Sequence, residues 1–278
     1  MTFPRPAPRA PLGGLTIGVV GAGTIGRALI KGLLTRGVPR RALVAADPSP
    51  AARGTVRRFG IAVTSDNRTV VSRSRVIIVA VKPQQFPELL AEIAQSLTKR
   101  HLVISIAAGI TLRWLQTRLP GVPLVRVMPN LPATVGCGFS AVTLGRGASA
   151  RHRAIARALF SAVGDVVELP ERAFDAVTAV SGSGPAYVFF LVQAWEEAAH
   201  ELGLSPAMAA RAIRRTLEGS VRLLEATGDP AAVLISRVAS KRGTTEAALK
   251  VLAKHRVAAH VRDALRAAAR RSKELAWS

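Results

Sequence analysis

The sequence predicts an α/β chain in which a doubly wound parallel sheet over residues 15–170 is followed by an all-helical region over 171–278. Three observations predict it. Short apolar runs rich in β-branched residues alternate with helical patterns through the first half, a glycine-rich turn follows the first run directly, and past about residue 170 the strand pattern stops.

The strand-like runs are Leu15–Val20, Ala42–Ala46, Ile61–Thr64, Arg75–Val81, His101–Ala107, Pro123–Pro129, Ser140–Leu144 and Asp165–Leu169. They do not alternate cleanly between apolar and polar residues, which is the pattern of strands covered on both faces. Helical spacing appears at Arg27–Leu34, Arg53–Phe59 and Pro87–Leu97. In the second half, Phe174–Leu202, Ser205–Thr227 and Thr244–Trp277 are rich in Ala, Leu and Arg. Ser205-Pro206 marks a helix start there, and Gly203 and Gly228 stand where helices end. Helices with such wide apolar faces predict a second copy packed against them, a homodimer.

Composition removes several classes of function. A hydrophobic share of 49% in 278 residues supports a sizeable core and excludes a disordered chain. Seven Lys and 32 Arg against 17 acidic residues give +22, but the cations are scattered, with doublets such as Arg57/Arg58, Arg214/Arg215 and Arg270/Arg271 the densest. With aromatics at 4% there is little to stack bases on, so a solvated basic surface is expected rather than a specific nucleic-acid site. The lone Cys137 can form neither an internal disulfide nor a cysteine-based zinc cage, which points to a reducing compartment, the cytoplasm. The five histidines stand apart, so no metal site is expected. Residues 1–14 carry four prolines and no apolar core of a secretory signal, and read as a loose tail. The apolar stretch Ala186–Trp195 is shorter than the roughly 20 residues of a bilayer span, so no membrane segment is expected.

The glycine-rich turn is Gly21-Ala22-Gly23-Thr24-Ile25-Gly26, opening a helix behind the first strand. Its first glycine permits the tight turn, the second lets backbone approach a pyrophosphate, and the third lets helix pack on strand, while amides at the helix start face the phosphates. This is the Rossmann-type dinucleotide fingerprint. Asp47 follows 21 positions after Gly26, at the end of the next strand. A carboxylate there accepts hydrogen bonds from a ribose 2′-hydroxyl and repels a 2′-phosphate, favouring NAD over NADP; Arg53 lies near enough in sequence to offset that repulsion.

Two segments of the second half invite a functional reading beside a purely structural one. Ser181-Gly182-Ser183-Gly184-Pro185-Ala186-Tyr187 reads as a flexible lead-in with Ser183 capping a helix from about Pro185, or as a plain linker. Ser240-Lys241-Arg242-Gly243-Thr244-Thr245-Glu246 runs into a helix, where amides and hydroxyls form either an anion site suited to a carboxylate or ordinary capping.

Together with AVKP at Ala80–Pro83, SIAAG at Ser105–Gly109 and RVMPN at Arg126–Asn130, these blocks resemble the pyrroline-5-carboxylate reductase family in nearly the whole chain from Leu15 onward. The resemblance implies a Rossmann domain with a helical dimerisation domain, dimers able to assemble into larger rings, and NADPH- or NADH-dependent reduction of 1-pyrroline-5-carboxylate to proline. By position it implies coenzyme contacts at Gly21, Ala22, Gly23, Thr24, Ile25, Gly26, Asp47, Asn67, Ala80, Val81, Lys82, Pro83, Ile106, Ala107 and Ala108. Substrate contacts fall on Glu171, Ser240, Gly243, Thr244 and Thr245, with Thr245 as the catalytic candidate at the ring nitrogen. An imine nitrogen is basic enough to need no strong buried acid, so catalysis would be chiefly positioning.

The chain departs from the family pattern in three places. Pro-Gly-Gly reads Lys241-Arg242-Gly243, Asn-Thr-Pro reads Asn130-Leu131-Pro132, and Asp47 stands where NADPH-preferring members often have Ser or Thr. If the position of Arg242 requires a positive φ, a side chain there costs on the order of 1 kcal/mol. Two rival readings are a related NAD(P)-dependent imine or hydroxy-acid reductase and a weakly active or non-catalytic NAD(P)-binding relative. A hydroxy-acid enzyme of this plan would want a lysine within Phe174–Leu202, and there is none.

Overall fold

The computed structural model describes residues 12–277; most of the tail expected at 1–14 lies outside them, while 12–14 form the end of a short turn. Among the described residues eight strands make one sheet: β1 (Ile17–Val20), β2 (Leu43–Ala46), β3 (Ala62–Thr64), β4 (Val76–Val79), β5 (Leu102–Ser105), β6 (Leu124–Met128), β7 (Gly138–Leu144) and β8 (Gly164–Glu168). Their order is β3-β2-β1-β4-β5-β6-β7-β8. Every pair is parallel except β6 with β7, so the expected parallel sheet carries one antiparallel step near its end.

The strands divide their side chains between two cores. Ile17 and Val19 of β1, Val76 and Ile78 of β4, and Leu102 and Ile104 of β5 point to one face. Val20, Ile77, Val79 and Val103 point to the other. Helices α1 (Thr24–Thr35), α2 (Pro50–Arg57) and α6 (Ala150–Phe160) cover the first face through Leu29, Ile30, Val56, Leu159 and Phe160. Helices α3 (Asn67–Arg73), α4 (Phe86–Ile93) and α5 (Leu112–Arg118) cover the second through Val70, Phe86, Ile93 and Leu115. Each such fully buried side chain contributes about 1.5–3 kcal/mol, which is what holds the strand ends in register.

The caps are local. Ser49 accepts the Ala52 N–H, Asp66 the Arg68 and Thr69 N–H groups, Thr111 that of Trp114 and Ser149 that of His152. In the second half, α7 (Phe174–Val177) continues through a π-type turn, Thr178–Gly182, into α8 (Gly184–Glu201). Then come α9 (Pro206–Thr227), capped by Ser205 and ended by Gly228 at φ 65, α10 (Ala231–Val238), α11 (Thr244–Lys254) and α12 (Val257–Glu274). The single helix expected over Thr244–Trp277 is therefore two, broken at His255 and Arg256, the latter at φ 53.

The chain separates into two compact units, one formed by residues up to Ser183 together with those from Ala268, the other by Gly184–Ala267. The second unit buries few apolar side chains, among them Ala209, Ile213 and Leu234, while Phe189, Phe190, Trp195, Met208, Val221, Ile235 and Val251 are exposed. A self-contained helical core would bury those residues, so this unit presents an apolar surface of the kind that takes a partner. The helical run Glu171–Glu201 spans 31 residues, longer than the apolar stretch read from the sequence, and by length and composition alone it is long and apolar enough to cross a membrane.

Candidate active site

The glycine turn is built by contact. Gly21, at φ +97, donates its N–H to the Ala46 carbonyl at 2.8 Å, and a Cβ there would stand 2.7 Å from the carbonyl of Ala80. A Cβ on Gly26 would meet the Gly21 oxygen, so helix and turn close on each other only with both glycines. Gly23, with open space around it, caps α1, whose first turn has no acidic residue and no side-chain cap. Thr24, Ile25 and Gly26 follow as the first residues of that helix, leaving its end positive and its amides available to an anion.

The remaining coenzyme candidates lie at the same edge. Asp47 follows β2, Asn67 opens α3 after β3, Ala80, Val81, Lys82 and Pro83 follow β4, and Ile106, Ala107 and Ala108 follow β5. All thus stand at carboxyl ends of parallel strands, around the point between β1 and β4 where the strand order reverses, which is where doubly wound sheets bind ligands. Asp47 accepts from the Ala22 N–H at 2.7 Å and from the Ser49 N–H at 2.8 Å. Arg53 donates to the carbonyls of Asp47 and Pro48 at 2.8 and 2.7 Å, so its guanidinium is held on main chain. Asn67 donates to the Glu92 carboxylate at 2.8 Å. Ile106 donates its N–H to Val79 O at 3.1 Å, and the Ala107 N–H reaches the Ser105 hydroxyl at 3.4 Å.

The substrate candidates are divided between the two units. Glu171, in a turn after β8, accepts from the Leu112 N–H at 2.7 Å and from Arg126 at 2.8 Å. Ser240, Gly243, Thr244 and Thr245 belong to the segment joining α10 to α11. Gly243 caps α11 without a side-chain bond and donates to Ser240 O at 3.0 Å; a Cβ on it would collide with the Ser240 hydroxyl. Thr244 and Thr245 are the first two residues of the helix. Arg242 does take a positive φ, 62°, and its N–H donates to the carboxylate of Glu246. Lys250 pairs with Glu246 at 2.6 Å, and first Lys250, then the Arg242 amide, hold that carboxyl below its usual range.

The sequence reading missed two features. Arg126 is a buried cation in β6, stacked over Phe174 at 4.8 Å and paired with Glu171; an arginine inside an apolar strand was the available signal. Ser181-Gly182-Ser183 is not a flexible lead-in, because Ser183 is helical at φ −86 and donates to Thr178 O at 2.8 Å. Asn130 ties this turn down, donating to the Ser181 hydroxyl at 3.0 Å while accepting the Phe139 N–H at 2.9 Å.

Comparison with known proteins covers both halves. Residues 16–109 match the family model described as NADP oxidoreductase, coenzyme F420-dependent, and residues 171–275 match that of pyrroline-5-carboxylate reductase dimerisation. The pyrroline-5-carboxylate reductase of Pseudomonas aeruginosa is 40% identical over 94% of this chain and 96% of its own, and that of Synechocystis 37% identical over 94% and 98%. The chain belongs to the pyrroline-5-carboxylate reductase family. Among solved structures, the pyrroline-5-carboxylate reductase of Coxiella burnetii superposes with a TM-score of 0.88 at 32% identity, covering 95% of this chain and 99% of its own. The Plasmodium falciparum pyrroline carboxylate reductase, solved with NADP bound, gives 0.88 at 27% identity over 95% and 99%. Every coenzyme candidate of this reductase family member falls inside the first matched stretch, and every substrate candidate inside the second.

Proposed function

We propose that the chain reduces 1-pyrroline-5-carboxylate to L-proline with NADPH or NADH, as a homodimer. The observation that carries this reading is the end-to-end likeness to pyrroline-5-carboxylate reductases, with the coenzyme candidates gathered at the reversal point of the sheet. The cradle of Gly21, Gly23 and Gly26 with the open start of α1 fits a pyrophosphate, and Asp47 fits a ribose hydroxyl.

When bound, the reduced coenzyme supplies a hydride to the C=N carbon of the ring. The helix-start amides of Thr244 and Thr245 hold the substrate carboxylate, and the Thr245 hydroxyl bonds the ring nitrogen. That nitrogen is protonated before or during transfer, so hydride and proton together turn C=N into CH–NH. The exposed apolar side chains of Gly184–Ala267 are the surface that a second copy covers.

The test is oxidation of NADPH and NADH with pyrroline-5-carboxylate. Thr245→Ala is expected to lower kcat/KM by about tenfold or more and Thr245→Ser to retain most of it; a Thr245→Ala enzyme of unchanged turnover removes the role given to that hydroxyl. Sedimentation equilibrium at micromolar concentration should give a dimer.

A further inference from the structure

The segment after α12 is fastened to the turn that follows β5. The Trp277 N–H donates to Gly109 O at 2.8 Å, Trp277 bridges Ile110 in parallel fashion, and its carbonyl accepts the Thr111 hydroxyl at 2.6 Å. Thr111 also caps α5 by accepting the Trp114 N–H at 3.1 Å, so one hydroxyl serves both elements. Gly109, at φ +78, lets the two backbones touch, because a Cβ on it would lie 2.6 Å from the Leu275 oxygen. The rings continue the contact: Trp277 meets Trp114 edge-on with centroids 5.2 Å apart, and Trp114 meets Phe86 in the same manner at 6.3 Å. Arg118 lies 3.9 Å over the Trp114 ring.

These contacts bear on the coenzyme edge. Ile106–Ala108 runs directly into Gly109, and Pro83 precedes Phe86, the first residue of α4, by a single turn. The Phe86–Trp114–Trp277 series therefore joins the exits of β4 and β5, the first two strands beyond β1 on that side of the reversal point, to one distant segment of chain.

We propose that Trp277 is a positioning residue for coenzyme binding, holding the turns after β4 and β5 in the geometry that receives the dinucleotide. The proposal rests on the coenzyme reading given above. A turn already fixed gives up less freedom when ligand binds, so releasing the clamp weakens coenzyme affinity and leaves the chemistry of the bound complex alone.

The experiment measures coenzyme dissociation constants by calorimetry and steady-state parameters for Trp277→Ala, Trp277→Phe and Thr111→Val. Trp277→Ala is expected to raise the Kd and KM of the coenzyme about fivefold, while KM for pyrroline-5-carboxylate and kcat at saturating coenzyme change less than about twofold. Trp277→Phe, which differs from Trp277→Ala in keeping a ring against Trp114 while both keep the main-chain bonds, restores affinity. Thr111→Val, with Trp277 in place, shifts coenzyme Kd in the same direction and carries the test should Trp277→Ala not fold. A wild-type chain that binds coenzyme while both Trp277→Ala and Thr111→Val bind it equally well overturns the clamp alone. So does a fall of every parameter in proportion to the folded fraction. A wild-type chain that binds neither coenzyme overturns the functional reading, and the clamp with it.

Discussion

The carboxylate of Asp47 accepts the main-chain N–H of Ala22 at 2.7 Å, inside the glycine turn itself. The acid proposed to take the ribose thus also fixes the turn, and Arg53, spent on two carbonyls, is poorly placed to neutralise a 2′-phosphate. Asp47→Ser is expected to lower the ratio of kcat/KM for NADH to that for NADPH by about tenfold, about 1.4 kcal/mol of discrimination. Parallel assays with the two coenzymes decide it, and an unchanged ratio removes Asp47 as the selector.

Arg126 and Glu171 form a pair whose side chains are 6% and 32% exposed, and Glu171 also takes the first amide of α5. Removing one partner of a pair this enclosed leaves a charge without compensation, a cost of about 3 kcal/mol. Glu171→Ala should therefore lower Tm by about 6 °C or more, whatever it does to substrate affinity. Arg126→Met combined with Glu171→Leu should recover much of that loss in the same melting experiment.

Arg242 sits at φ 62, where a side chain costs about 1–2 kcal/mol and glycine nothing. Glycine gains about 0.5–1 kcal/mol of freedom in the unfolded chain, which offsets part of the relief. Arg242→Gly should consequently stabilise the protein by about 0.5 kcal/mol in urea unfolding, and Arg242→Ala, which keeps the strain, should not.

His152 and Ser149 cap α6 reciprocally, the His152 Nδ1 accepting the Ser149 N–H at 3.0 Å and the Ser149 hydroxyl accepting the His152 N–H at 3.4 Å. Burial first, and then the charge of Arg151, push the His152 pKa below its usual 6.5. The unfolded chain then takes up the proton more readily than the folded one, so this contribution is complete above about pH 6.5 and is lost as pH falls through the folded value. Burial moves His101 in the same direction. Tm should decline between about pH 7.5 and 5.5, and His152→Ala should start lower and show a shallower decline.

The central strands β1, β2, β4 and β5 were legible because each is a continuous apolar run buried along its whole length, while half-buried β3 and β8 were legible from short β-branched runs between polar breaks. Helices α3, α5, α6 and α10 were not, being short and, in α5 and α6, broken by Arg at otherwise apolar spacing. Asp66, Thr111 and Ser149 were their readable signals, each now a cap. The candidate coenzyme residues fall along one edge because each follows a strand end, whatever the packing beyond. The Arg126–Glu171 pair and the Trp277 contacts join residues 45 and 166 positions apart, and no local spacing encodes such partners.

The π-type turn at Thr178–Gly182 carries a constraint on length. Each residue turns a helix by about 100°, so a single insertion or deletion there would re-aim every side chain of α8 around its axis. An inserted residue would send Phe189 into the direction Phe190 now takes and Phe190 into that of Leu191. Lineages of this enzyme can therefore vary the letters of that turn more readily than their number.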